Sequence, residues 1–417
     1  MASCRRRKSE AGAGMDAISE LPAEVKERIL ECLPTRDAAR TALLSTHWND
    51  VWLRHGQLVF DKDFFECFSK YEGEKGMAQI STINDILMLR GPVKKFTLHI
   101  RHASDPKPQQ SDLDRWCRLL SRNGLQELSL FISDNHQLPS CIFSCRTVKQ
   151  LFLGDLIFDL SIPGCIFPSA TSLAFKHAEF SDNVKGIVYR IPNLEELSFS
   201  RCKGITNFEI ISPKLESLRV IGSLCWELDD SRWFTLYLRT IKALCLSANL
   251  LPCKNAGIAT TTFPTAINLR VIELYELSFS CGEKLAFVLQ LLQHSPNLCE
   301  LKMTASDNQC MCEITTGTRL LDDPNSCILK QDLKILNTVM IEGFSGSIPE
   351  KLFVKVLLLK SPALERFLIM EYADIDTSEA VKSLRELLHF PRASLKARIV
   401  CVEHDDTVSG LFNYIWF

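Results

Sequence analysis

The sequence predicts an α/β chain made of a small helical head, a solenoid of short parallel strands and a mixed helix and strand closing segment. Three observations predict it. Helical signals crowd into residues 21–52, an apolar-x-x-apolar-x-apolar unit recurs eight times between residues 125 and 303, and strand and helix signals alternate after residue 325. The expected divisions are a disordered basic tail (1–16), the head (17–60), a packed connector with the first solenoid elements (61–124), the repeats (125–325), a closing domain (326–403) and a C-terminal tail (404–417).

The head comes first. Pro22 suits the first helical position, where its missing N–H would have no partner, and Glu24 puts negative charge near the helix N-terminus. Val25, Ile29, Leu30 and Leu33 then form a one-sided stripe, and Pro34 stops the helix. Thr35 is the expected N-cap of a second helix from Arg36 to Leu44. Ser45 is the expected N-cap of a third, in which Trp48, Val51 and Trp52 share a face. Three helices in under forty residues are too small to bury a full core, so exposed Leu, Ile and Trp side chains are expected to meet a partner. The alternative is an ordinary helical cap.

These residues carry a resemblance. The Leu21-Pro22 opening, the Leu33-Pro34-Thr35-Arg36-Asp37-Ala38-Ala39-Arg40-Thr41 centre and the close from Leu44-Ser45 through Trp48 to Trp52 are similar to the plant type of F-box. The resemblance implies docking on a Skp-type adaptor, and through it on the cullin and RING subunits of a ubiquitin ligase. Leu21, Pro22, Val25, Ile29, Leu33, Leu44, Ser45 and Trp48 match its docking and packing positions, and Leu30, Pro34 and Trp52 complete the candidate adaptor face. Many plant relatives carry two basic residues before the first Trp. Here Thr46 and His47 stand there, which bears on a charged contact.

The repeat units are Leu125-Leu128-Leu130, Val148-Leu151-Leu153, Ala170-Leu173-Phe175, Leu194-Leu197-Phe199, Leu215-Leu218-Val220, Ile241-Leu244-Leu246, Leu269-Ile272-Leu274 and Leu298-Leu301-Met303. Their middle members step by 23, 22, 24, 21, 26, 28 and 29 residues, the leucine-rich-repeat period with drift. The middle and last apolar members alternate on a short strand and point inward, while the return segment lays the next strand parallel to the last. Asn249 holds the position where such repeats carry a small or amide residue and Cys202 comes close. Ser133, Leu156, Ala178, Ser223, Leu277 and Ser306 stand there elsewhere, so no continuous buried polar ladder and an irregular curve are expected.

Within the connector, Ile80 to Leu89 has helical spacing, Val93 to Ile100 reads as an early strand, Arg101 to Ser111 as a loop and Leu113 to Leu120 as a helix. After Asp322-Asp323-Pro324-Asn325 come a strand over Leu333 to Ile341, a glycine turn, a helix from Glu350 to Leu359, a strand through Leu364, Phe367 and Ile369, and a helix from Ala380 to Leu388. That order and the Phe390-Pro391-Arg392-Ala393-Ser394 element resemble the FBD domain that follows the repeats in many plant F-box proteins. Physically it would close the open end of the sheet.

Composition narrows the function classes. Net charge is −2, which gives no global attraction to nucleic acid or an anionic membrane. Seventeen cysteines lack the spacing of a disulfide framework, and no apolar run reaches a membrane span, so a reducing compartment, cytoplasm and/or nucleus, is expected. Arg5-Arg6-Arg7-Lys8 reads as a solvated tail or a weak nuclear signal. No phosphate-cradling glycine loop occurs. His136 with Cys141 and Cys145, and Cys310-Met311-Cys312, fall short of a zinc pattern and read as buried or loop thiols. His177, His294 and His389 read as structural. No catalytic residue, metal or cofactor is expected.

In each repeat strand, the residues between the inward ones face outward. This nominates Glu127, Ser129, Phe131, Gln150, Phe152, Arg219, Glu273, Tyr275, Glu300 and Lys302 as a surface for a protein or peptide, the other reading being a solvated face. Two functions remain: the substrate receptor of a Skp-cullin-F-box (SCF) ligase, or a repeat scaffold that binds proteins without a ligase.

Overall fold

A computed structural model of the chain describes residues 18–66, 75–101, 105–159, 161, 163–222, 236–251, 264–306, 318, 321, 328–371 and 377–402. The expected tails, the Asp322 to Asn325 break and Cys310 to Cys312 lie outside these residues. Two compact units are present, Met1–Leu130 and Phe131–Phe417.

The first unit opens with α1 (Ala23–Glu31), α2 (Thr35–Thr41) and α3 (Thr46–Arg54). Pro22 and Pro34 stand just before α1 and α2 as their N-cap residues, with backbone ψ near 149° and 145°, a position where the N–H that proline lacks would have no helical partner. Thr35 is therefore inside α2 rather than capping it. Its hydroxyl instead accepts from the Val59 N–H at 2.8 Å, tying α2 to β1 (Gln57–Phe60). Ser45 does cap α3, its Oγ accepting from the Trp48 N–H at 3.4 Å. The strand β1 is one the sequence pattern hides: four residues pair in parallel with β2 (Lys95–Ile100), setting Leu58 against Phe96 and Phe60 against Leu98. Between them run α4 (Lys62–Glu66) and α5 (Lys75–Leu89). The loop expected to reach Ser111 ends early, because α6 (Gln110–Arg122) starts with a capping box between Gln109 and Asp112. Trp116 of α6 donates its indole N–H to Asn84 of α5 at 2.7 Å. The unit's last residues open β3 (Glu127–Gln137), neighbour of β2.

The second unit is a parallel sheet in which every described repeat strand falls where the sequence pattern places it. After a single turn, α7 (Ser140–Phe143), come β4 (Gln150–Phe158), a short β5 (Gly164–Cys165), β6 (Ser172–Lys176), two short strands β7 (Glu179–Phe180) and β8 (Val188–Arg190), β9 (Glu196–Ser200), a short β10 (Glu209–Ile211), β11 (Ser217–Ile221), β12 (Ala243–Ser247) and β13 (Val271–Leu277). The helix α8 (Gly282–Gln293), β14 (Glu300–Ala305), β15 (Thr338–Phe344), α9 (Ile348–Lys360), β16 (Arg366–Glu371), α10 (Thr377–Leu388) and β17 (Arg398–Val402) follow. The main sheet runs β4-β6-β9-β11-β12-β13-β14-β15-β16-β17, and β5, β8 and β10 form a second small sheet among the return segments.

One row of register partners crosses the main sheet from β4 to β17: Leu151, Leu173, Leu197, Leu218, Leu244, Ile272, Leu301, Val339, Phe367 and Ile399. The first nine are fully buried. At roughly 0.8 kcal/mol per buried CH2, each rung is tied to its neighbours by apolar burial as well as by the strand hydrogen bonds. The closing segment, expected as a separate cap, therefore continues the repeat. Leu336-Val339-Ile341 and Leu364-Phe367-Ile369 restate the unit, and β17 adds a last rung that no sequence signal announced.

Behind the early strands the interior is filled by aromatics. Phe158, Phe175, Phe180, Tyr189, Phe199 and Phe208 are all buried and touch ring to ring, with Phe175 stacked on Phe199 at 5.6 Å and Phe158 edge-on to Phe208 at 4.9 Å. This phenylalanine spine occupies the space that a polar ladder would line. One amide survives there: the Asn207 side chain donates to the Phe180 and Ser181 carbonyls and to Asp182.

Candidate functional site

The helical head separates the nominated adaptor residues into two sets. Leu30, Trp48 and Trp52 are buried, at 0%, 2% and 8% exposure. This corrects the expectation that the tryptophans are contact residues: α3 lies against α1, and the side chains that anchor it have no surface left to offer. Trp48 is held under the Lys26 ammonium, 5.7 Å from its ring, while that ammonium donates to the Ser19 carbonyl at 2.6 Å. Trp52 is held under the Arg90 guanidinium at 3.8 Å, and Arg90 also donates to the Trp52 and His55 carbonyls. Burial, and then the Arg90 charge, push the neighbouring His55 down to about 4.

The other set faces outward. Leu44 is 61% exposed and Val25 42%; Pro22 and Pro34 are exposed, and Leu21, Ile29 and Leu33 are half-buried. Ser45 is half-buried and spends its oxygen on the cap. Thr46 and His47 are both exposed. Two strong candidates were missed: Leu43, at 88% exposure, and Ile18, at 58%. Leu43 directly precedes Leu44 in the turn after α2, and the adjacent apolar pair was the available signal.

The nominated recognition residues also divide. In the first unit, Glu127 pairs with Lys95 at 3.0 Å and Ser129 is hydrogen-bonded to His99 at 2.7 Å. Burial, and then the Arg101 charge, push His99 down to about 4. In the second unit, Phe131 points to the outward side yet is only 5% exposed, which corrects its reading as an open contact. Its ring stacks on Phe152 at 6.4 Å, meets His177 edge-on at 6.1 Å and covers Gly154, which has no side chain to obstruct it. Gln150 is exposed and Phe152 half-buried.

Arg219, Glu273, Tyr275, Glu300 and Lys302 do come together. Register places Arg219, Cys245, Glu273 and Lys302 in one lateral row across β11, β12, β13 and β14. Glu273 accepts from Arg219 at 3.3 Å and from Lys302 at 3.5 Å, and Lys302 lies 3.2 Å from Glu300. Tyr275 sits on the same face of β13, one outward position along. Burial pushes the Tyr275 hydroxyl and the Cys245 thiol both up to about 12. At neutral pH neither is ionised, so Cys245, whose place in the row the sequence pattern left to the solenoid, is a packing residue rather than a nucleophile. The result is a charged, half-covered strip that can hydrogen-bond a peptide and has no reactive group.

Among the described residues no three or more His, Cys, Asp or Glu stand together as a metal site, and no helix is long and apolar enough to cross a membrane. Cys141 is half-buried and Cys145 is buried. His177 pairs with Asp155 at 3.2 Å, and His294 bonds the Gln290 carbonyl at the end of α8, both structural placements. His389 is exposed beyond α10.

Comparison with known proteins meets this geometry in the head and in the early repeats. The F-box domain model matches residues 18–58, and the model described as "FBD-associated F-box protein At5g56370, LRR repeats" matches residues 113–232. The F-box/FBD/LRR-repeat protein At1g13570 of Arabidopsis thaliana is 27% identical over 94% of this chain and 100% of its own length. The FBD-associated F-box protein At3g52670 of the same plant is 25% identical over 67% of each chain, and the putative F-box protein At3g58860 is 31% identical over 44% of this chain and 41% of its own. With residues 18–58 matched as an F-box, residues 113–232 matched as FBD-associated repeats and one alignment running nearly end to end, the chain is similar to the F-box/FBD/LRR-repeat proteins of Arabidopsis thaliana.

Proposed function

We propose that this protein is the substrate-recognition subunit of an SCF-type ubiquitin ligase, acting in the cytoplasm or nucleus. The F-box docks a Skp-type adaptor, and through it a cullin and a RING subunit. The outward face of the repeat sheet holds the protein to be ubiquitinated. The observation that carries the reading is the exposure of Leu43 and Leu44 on a head whose tryptophans are already used inside. Large apolar side chains turned to water on a helical module mark a surface made to be covered. The chain contributes no catalytic group: it raises the local concentration of target lysines near a ubiquitin-loaded enzyme, and proximity supplies the rate.

The test is capture of the full chain on an immobilised Skp-type adaptor. Wild-type chain is retained, and the Leu43→Asp, Leu44→Asp double variant is not, although its circular dichroism and melting temperature stay at wild-type values. Equal retention of both, or of neither, rejects this docking, and the chain then stands as a repeat scaffold without a ligase.

A further inference from the structure

Outward-facing positions on the repeat sheet change character at β15. From β6 to β14, the lateral row through Arg219 runs Ala174, Ser198, Arg219, Cys245, Glu273 and Lys302, small, polar or ion-paired. Across the next three strands the same row continues as Met340, Leu368 and Val400. Met340 and Leu368 are half-buried and Val400 is 43% exposed. An outward strand position facing water is normally polar, and here three successive rungs are apolar.

The neighbouring outward row runs Thr338, Arg366, Arg398. Arg366 and Arg398 are register partners on adjacent strands, both exposed, and neither guanidinium has an ion pair or hydrogen bond among the described residues. Strand spacing puts their backbones about 4.8 Å apart. Like charges side by side on paired strands repel and weaken the pairing. Glu300, on the strand beyond Thr338 in that row, is already taken by Lys302. Two unneutralised cations beside an apolar strip make a surface complementary to an anion joined to an apolar group.

We propose that β15, β16 and β17 form the anchor for a protein substrate, recognising an extended segment in which a carboxylate stands two residues from an aliphatic or aromatic side chain. The spacing follows from β16 itself. Arg366 and Leu368 are two residues apart on one face, about 6.6 Å at strand rise, which is the separation of residues i and i+2 on one side of an extended peptide. The carboxylate bridges Arg366 and Arg398, and the apolar side chain lies across Met340, Leu368 and Val400. This rests on the substrate-receptor reading and names the class of segment that reading leaves open.

The experiment incubates full-length chain, held on a Skp-type adaptor, with an array of peptides whose cores are Glu-x-Leu, Gln-x-Leu, Glu-x-Ser and Lys-x-Leu. The expected result is at least tenfold stronger retention on Glu-x-Leu than on the other three, weakened by salt. It falls to the level of Gln-x-Leu in the Arg366→Gln, Arg398→Gln variant and to that of Glu-x-Ser in Leu368→Ser. Melting curves check that both variants remain folded. Equal retention on all four cores, or none on any, overturns the inference while leaving adaptor capture intact. Loss of adaptor capture with peptide selectivity preserved on directly immobilised chain sinks the ligase reading alone. A dimer in light scattering that Val400→Asp converts to monomer would assign the strip to a second copy of this chain and overturn the substrate assignment.

Discussion

The His177 ring nitrogen Nδ1 lies 3.2 Å from Oδ1 of Asp155, and both residues hold left-handed backbone at φ 53°. They occupy one phase of successive rungs, each four residues past the middle inward residue, Leu151 and Leu173. Arg201, Gly222, Glu276 and Gly343 stand four past Leu197, Leu218, Ile272 and Val339, and all four are left-handed as well. The chain thus leaves most strands by the same turn. Asp, His and Gly accept that conformation readily, whereas Arg201 and Glu276 carry a penalty that the repeat geometry imposes.

Beside this turn, the Gly154→Ala variant should be destabilised. A Cβ there would stand 2.2 Å from Cδ2 of Phe131. Because Phe131 is itself pinned by Phe152 and His177, the expected loss is about 1–3 kcal/mol, seen as a lower urea midpoint. Adding Phe131→Leu to Gly154→Ala should recover part of it. Unchanged stability in the single variant would mean that the ring has room to move.

Trp48→Ala and Leu44→Ala should separate folding from docking. Trp48 is 2% exposed and its truncation is expected to cost about 3–5 kcal/mol, so adaptor capture is lost because the head unfolds. Leu44→Ala should change stability by less than about 0.5 kcal/mol and still weaken capture. Thermal melts run beside the pull-down distinguish the two, and a wild-type melting temperature for Trp48→Ala would contradict the packing described.

Acid should loosen the first unit before the carboxylates titrate. Burial holds His55 and His99 neutral, both down to about 4, while in the unfolded chain each takes up a proton near 6.5. A lowered histidine pKa means that stability is complete above about pH 6.5 and falls as the pH drops toward 4, below which no further loss comes from these groups. Each contributes a slope of at most about 1.4 kcal/mol per pH unit. Hydrogen-exchange protection factors of residues 46–60, followed from pH 7.5 to 4, should fall across this window, and His55→Gln should flatten the response.

The start of α9 depends on a single carboxylate. Glu350 is nearly fully buried and accepts from the Ser345 N–H at 3.0 Å, the Ser345 hydroxyl at 2.8 Å and the Ser347 N–H at 2.9 Å. Glu350→Ala leaves three donors without a partner and should cost about 1–3 kcal/mol. The readout is faster exchange at Ser345 to Lys351; an unchanged rate there would rule out the capping role.

Strand positions were legible because burial on a parallel sheet writes a fixed period into the chain: each of the eight rungs from Leu128 to Leu301 carries its own inward pair. The strands β1 and β17 were not. Gln57–Phe60 is too short to show a period, and around Ile399 the first position of the unit is Lys396, a charge where the pattern calls for an apolar residue. The recognition face was legible in parity but not in exposure, as Phe131 shows: alternation says which side a residue points to, while a neighbour such as Phe152 decides whether water reaches it.

By itself, then, the sequence determined the head, the rung spacing and the outward set of residues, since helix and strand periods depend on near neighbours along the chain. Only the tertiary structure decided that Trp48 and Trp52 serve the core while Leu43 and Leu44 remain outside, that the closing segment continues the repeat register, and that Arg366 and Arg398 stand together with no counter-charge among the described residues. Those outcomes depend on which segments, far apart along the chain, come to lie side by side, and no local pattern carries that information.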